Sequence, residues 1–160
     1  SIVIIIQEEP NGFRSLNDCA RIWKDGRIEQ LGWPRVKIHY TSGTRIPTGA
    51  TIEATDGDGS AVRFDVESKL PCPIHVGGGY GGDSDWIHGM WKGEKFTERL
   101  TYDMTDPAII GRSGFGVIDH VGRAVCHDGS GEHEGWGLFE HGALGRHDPS
   151  GFTDWLTVAD

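Results

Sequence analysis

The sequence predicts an all-β domain, an antiparallel barrel or sandwich with almost no helix. Three observations carry this. No window of a dozen residues holds apolar residues at i, i+3 and i+4 without a Gly or Pro interruption. Short alternating or apolar segments recur between turn signals, roughly eight to ten strands without crossover helices, the pattern of antiparallel sheets. Glycine supplies 25 of 160 residues, about twice its usual share of ~7%, as many turns and close backbone contacts require.

The elements follow in order. Ser1–Gln7 is a continuous apolar strand. Asp18–Trp23 and Arg27–Leu31 flank Lys24, Asp25 and Gly26, a hairpin signature. In Trp33–Thr41, Val36, Ile38 and Tyr40 share one face and Arg35, Lys37 and His39 the other. Ala50–Thr55 and Ala61–Glu67 are joined by the turn sequence from Asp56 to Ser60, and their alternation predicts a half-solvated antiparallel pair. Pro71, Cys72 and Pro73 then interrupt, and the glycine-rich run from Gly77 to Gly82 reads as a loop or bulged edge. Asp85–Trp91, Glu94–Met104, Arg112–Cys126 and Glu132–His141 read as further strands, and the last ten residues as a tail.

A chain of 160 residues fits one domain with a real core. The net charge of −9 repels phosphate backbones and argues against nucleic-acid binding. No apolar run of about 18 residues exists, which argues against a membrane span. Cys19, Cys72 and Cys126 are odd in number and show no CxxC spacing, so neither a disulfide framework nor a zinc knuckle is expected, and a reducing cytoplasm fits best. The chain starts directly on a strand, as a domain cut from a longer protein would.

Gly114–Phe152 is the richest stretch in ionisable groups, with five of the eight histidines. Read with period two, Gly114–Cys126 puts His120 on a face of small residues and Asp119 and Arg123 on the other. Asp119 and Arg123 are about 13–14 Å apart along an extended strand, so each needs a cross-strand partner if buried. His133 and His141 share a strand face but are too distant to ligate one metal; His120 with one of them across strands and Glu140 could still ligate one, but satisfied or exposed histidines are the expected outcome and no metal site is expected. Asp85–Trp91 is a second candidate, with Trp86, His88 and Met90 on one face as a possible apolar wall around a proton-transfer group. The run at 77–82 lacks a Walker pattern, and no GxSxG elbow occurs. Acid and base candidates without an evident nucleophile point to proton transfer or to plain binding.

The segments GGGYGGDSDWIHGMWKGE, TYDMTDP, GVIDHVGR and GWGLFEHGALGRH resemble the C-terminal half of lipocalin-like proteins related to the AttH and carotenoid 1,2-hydratase group. The resemblance covers roughly residues 15–152. It implies a single lipocalin-like β-domain over residues 1–160, the second half of a two-domain protein. It further implies an apolar pocket and cofactor-independent hydratase, lyase or isomerase chemistry on an isoprenoid-like molecule. A cofactor-free enzyme of this kind needs a Brønsted acid and aromatic faces that stabilise a cation. The candidates are Asp119, His120, Asp85, His88, Glu140 and His141 for proton transfer, with Tyr80, Trp86, Trp91 and Trp136 as the aromatic walls. The alternatives are a noncatalytic lipid- or terpenoid-binding module and a structural partner completing a two-domain assembly. Partners expected besides the small molecule are a preceding β-domain or second chain, or a further copy of this one.

Overall fold

The computed structural model describes residues 1–73, 89–97, 99, 101–103, 105–109 and 118–160. It is all-β. A three-stranded antiparallel sheet contains β1 (Ile2–Glu8), β2 (Arg14–Ile22) and β3 (Ile28–Gln30), in that order. A five-stranded antiparallel sheet contains β4 (Arg35–Tyr40), β5 (Pro47–Thr55), β6 (Ala61–Pro73), β7 (Ile118–Asp128) and β8 (Gly131–Glu140). Of the two architectures expected, the open one holds. The sheets do not close into a barrel, because among the described residues β1 and β8 each end their sheet without a further strand partner.

The alternation read from sequence sets the faces. Across the large sheet, Val36, Ile52, Phe64, Cys126 and His133 stand in register, and Ile38, Ala50, Val66, Ala124 and Gly135 form the next row. The opposite face carries charged rows, with Arg35 on Glu53 at 2.7 Å and Arg123 on Glu134 at 2.6 Å. Arg123 and Glu134 pair across strands while both stay partly exposed. The apolar rows meet Cys19 and Leu31 of the small sheet in a core with Ala50, Ile52, Ala54, Val62 and Phe64. Arg21 ties the layers at their edge, its guanidinium 3.1 Å from Asp128 and 3.9 Å from Glu29.

Both expected hairpin turns form. Asp56 caps the β5–β6 turn by accepting from the amides of Asp58 and Ser60 at 3.0 and 2.8 Å. Gly59 supplies the left-handed residue there, at φ 82°.

Four expectations need correction. Pro71, Cys72 and Pro73 do not interrupt the strand: β6 runs to Pro73 and pairs there with β7. Beyond Glu67, β6 has β7 as its strand partner and no longer faces β5. A proline on such a half-free stretch removes no ladder bond, and a register shift between Ser68 and Leu70 resets the pairing. The described residues of Glu94–Met104 form no strand. Local turns take their polar groups instead, with Phe96 donating to Gly93 and Asp103 accepting from Thr105. The strand expected over Asp85–Trp91 reaches the described residues only at its end, where Gly89, Met90 and Trp91 are not strand; residues 112–117 of the expected Arg112–Cys126 strand lie outside them.

The last ten residues are not a free tail. Phe152 is 1% exposed, with the Arg45 guanidinium 4.3 Å from its ring centre. Arg45 also donates to the carbonyls of Ala143, Gly145, Asp154 and Thr157. No helix among the described residues is long and apolar enough to cross a membrane.

Candidate functional site

Three strands cannot cover five. Among the described residues, the part of the large sheet that the small one leaves uncovered borders a cleft of about 1620 Å³, beyond the roughly 300–1,000 Å³ of a typical ligand pocket. Edge strands β1 and β8 both line it. Its apolar floor includes Val66, Gly122, Ala124, Cys126, Gly135 and Gly137. A Cβ built on Gly135 or Gly137 meets nothing within 4 Å, so this part of the floor is bare backbone.

A chain of hydrogen bonds lines one end of the cleft. His141 Nε2 lies 2.7 Å from Tyr40 Oη, and Tyr40 Oη lies 2.8 Å from Ser150 Oγ. Ser150 Oγ is 2.9 Å from His147 Nδ1, and His147 Nε2 is 2.9 Å from Glu8 Oε2. Arg14 Nε donates to the other Glu8 oxygen at 2.8 Å. The five residues come from four separated parts of the chain. Glu8 ends β1 at an irregularity in its pairing, and Tyr40 ends β4 at another. His141 directly follows β8. His147 precedes the 3-10 turn Asp148–Ser150, which Gly151 terminates at φ 75°. The Asp148 amide donates to the Pro10 carbonyl and anchors that turn beside the end of β1.

The environment sets the protonation of each group. Burial pushes His141 down to about 4, the nearby His147 adds to this, and Glu8 opposes it; the ring is therefore neutral at neutral pH. Burial raises Tyr40, against the Ser150 hydrogen bond and the charge of Arg45, so the phenol keeps its proton. Burial opposes ionisation of Glu8, but the hydrogen bonds from Arg14 and His147 outweigh it and hold the carboxylate below its ordinary range. With Glu8 an acceptor, a neutral His147 donates from Nε2 and accepts at Nδ1 from Ser150. Ser150 then accepts from Tyr40, and Tyr40 from His141. Protonating His147 reverses every donor along the chain as far as His141. The arrangement can store a proton at His147, beside Glu8, and deliver it to Tyr40.

Of the residues singled out from sequence, His141 belongs to this chain. His120 is 3% exposed; its Nδ1 lies 2.6 Å from Ser68 Oγ, and its Nε2 has no hydrogen-bond partner among the described residues. Burial lowers its pKa. His120 is not among the cleft-lining side chains. Asp119 lies on the opposite face of β7, in register with the exposed Glu140, and its buried Oδ1 is likewise unpartnered among the described residues. Trp136 stands at the cleft rim, and Trp91 is exposed. Tyr80, Asp85, Trp86 and His88 lie outside the described residues. No cluster of metal-ligating side chains occurs among the described residues.

Sequence reasoning missed Glu8, Tyr40, His147 and Ser150. One signal was available: Ile2, Ile4, Ile6 and Glu8 share a strand face, and a carboxylate that continues an apolar stripe needs a buried partner. Comparison with curated proteins and with solved structures finds no match. Over residues 12–153 the chain matches a family of unknown function (DUF8625), and it belongs to that family.

Proposed function

We propose that this domain binds an apolar small molecule in the cleft and exchanges a proton with it through Tyr40, as a cofactor-independent hydratase, lyase or isomerase. The observation that carries the reading is the junction of the two features: the hydrogen-bonded chain from His141 to Glu8 and the apolar floor line the same cleft. Tyr40 Oη is the group that meets the ligand. Its proton goes to the ligand and is replaced through Ser150 from His147, whose Nε2 stands 2.9 Å from the Glu8 carboxylate. The reverse order withdraws a proton. An isoprenoid-like ligand suits the floor, and the free thiols of Cys19, Cys72 and Cys126 suit a cytoplasmic setting.

Native mass spectrometry of the full chain tests binding, with a copurifying apolar molecule expected as added mass. Tyr40→Phe is expected to retain that molecule and to lose its conversion. Conversion that survives in both Tyr40→Phe and His147→Gln would refute the catalytic part.

A specific observation favours a second reading, a binding domain completed by a neighbouring β-domain. Among the described residues β1 ends its sheet with Ile2, Val3 and Ile5 exposed, an apolar edge of the kind that pairs with another strand.

A further inference from the structure

The cleft is long. His133, Gly135, Gly137 and Phe139 line it along β8, and the six steps from His133 to Phe139 span about 20 Å at strand rise. An occupant that fills it is extended rather than compact.

The charges around the cleft decide what polar group that occupant carries. At the Tyr40 end the arginines among the described residues are engaged, and Lys37, three residues before Tyr40 on β4, is exposed and keeps its hydration. Arg14 is held by Glu8. Arg45 donates to four backbone carbonyls. Arg146 makes a two-point pair with Asp148, both contacts at 2.7 Å. His141 is neutral, and Glu8 keeps a carboxylate close behind His147. At the other end Arg21 faces two carboxylates, Asp128 and Glu29. Lys24 is exposed at the rim and keeps its hydration. A carboxylate entering the Tyr40 end would lose its water, meet no unengaged arginine among the described residues and sit near Glu8, while the exposed Lys37 stays in solvent. Tyr40 Oη already shares hydrogen bonds with His141 and Ser150 and keeps one acceptor position, which suits an uncharged hydroxyl that donates and offers a carboxylate no donor.

Resting on the reading of this cleft as the ligand site, we infer that its occupant is an elongated, uncharged amphiphile whose terminal hydroxyl donates to Tyr40 Oη, which His141 holds in place. A fatty carboxylate of equal length is discriminated against. The selection comes from desolvation: burying an unpaired carboxylate costs far more than burying a hydrogen-bonded hydroxyl.

The test is displacement of Nile red, an uncharged apolar fluorophore, from the full chain by dodecanol and by dodecanoate at neutral pH. Dodecanol is expected to displace the dye at a concentration at least about tenfold lower. Tyr40→Phe and His141→Gln, each first checked for wild-type circular dichroism and wild-type dye affinity, are expected to lose most of that preference. Equal or better displacement by dodecanoate would overturn the inference and leave the apolar cleft standing. A preference for dodecanol that persists undiminished in both variants would overturn the assignment to Tyr40 and His141. Failure of Nile red to bind at all would remove the reading of the cleft, and the inference with it.

Discussion

Tyr40 Oη and His141 Nε2 lie 2.7 Å apart although 101 residues separate them in sequence. They meet because β4 and β8, the two edge strands of the large sheet, both end at the site. The contact reports on closure of the sheet over the core as well as on the candidate chemistry.

Removing the Tyr40 hydroxyl separates the two roles. Tyr40→Phe keeps the ring, which packs 5.2 Å from the Phe152 ring centre, and breaks the chain between His141 and Ser150. The expected loss in urea unfolding is about 1–2 kcal/mol, the scale of a partly buried hydrogen bond. A loss of several kcal/mol would show the hydroxyl to be a structural keystone rather than a proton carrier.

His141 makes stability sensitive to acid. Its folded pKa of about 4 lies below the ordinary histidine value of 6.5, so the unfolded chain binds its proton first. Its neutral form contributes nothing adverse above pH 6.5. Between about 6.5 and 4 the unfolded state gains protons and the fold loses stability as pH falls, by at most about 3 kcal/mol. Glu8 acts in the same direction at lower pH, because its carboxyl is held below its ordinary range. Thermal unfolding across this window checks the sign, and His141→Gln is expected to flatten the upper part of the profile.

Two glycine substitutions distinguish the cleft from the packed sheet. Gly137→Leu adds a side chain where a Cβ meets nothing within 4 Å. It is expected to cost little stability and to abolish Nile red binding by filling the floor. Gly49→Ala instead places a Cβ 2.1 Å from the Val66 carbonyl oxygen, and this backbone clash is expected to cost about 1–3 kcal/mol or more. Chemical denaturation of the two variants in parallel measures the contrast.

The C-terminal segment is expected to behave as part of the fold. Phe152→Ala empties a site that is 1% exposed and is expected to cost about 3–5 kcal/mol. Arg45→Ala leaves carbonyls of four residues without their donor and is expected to increase amide exchange over residues 143–157. Wild-type exchange there would show that the segment holds without Arg45.

Much of the fold was legible because period-two patterning is local. Val36, Ile38 and Tyr40 were placed on one face by spacing alone, and the structure keeps them on the cleft side. Pro71 and Pro73 misled because the cost of a proline depends on whether a neighbouring strand needs its N–H. That neighbour, β5, has already ended its pairing there. The candidate site was legible only at His141. His147 and Ser150 sit in a short 3-10 turn with no periodic signal, and their partners Tyr40 and Glu8 lie more than 100 residues away.

By itself the sequence determined the class of fold, the inward and outward faces of most strands and the hairpin turns. Each of these depends on interactions within a strand or across one turn. Only the tertiary structure decided that three strands cover five, that an open cleft results, and which ionisable groups meet at its end. Those outcomes depend on where strand ends fall in space. The side chain that partners Glu8 is set by the packing of two sheets and a C-terminal turn, not by anything adjacent to Glu8 in the chain.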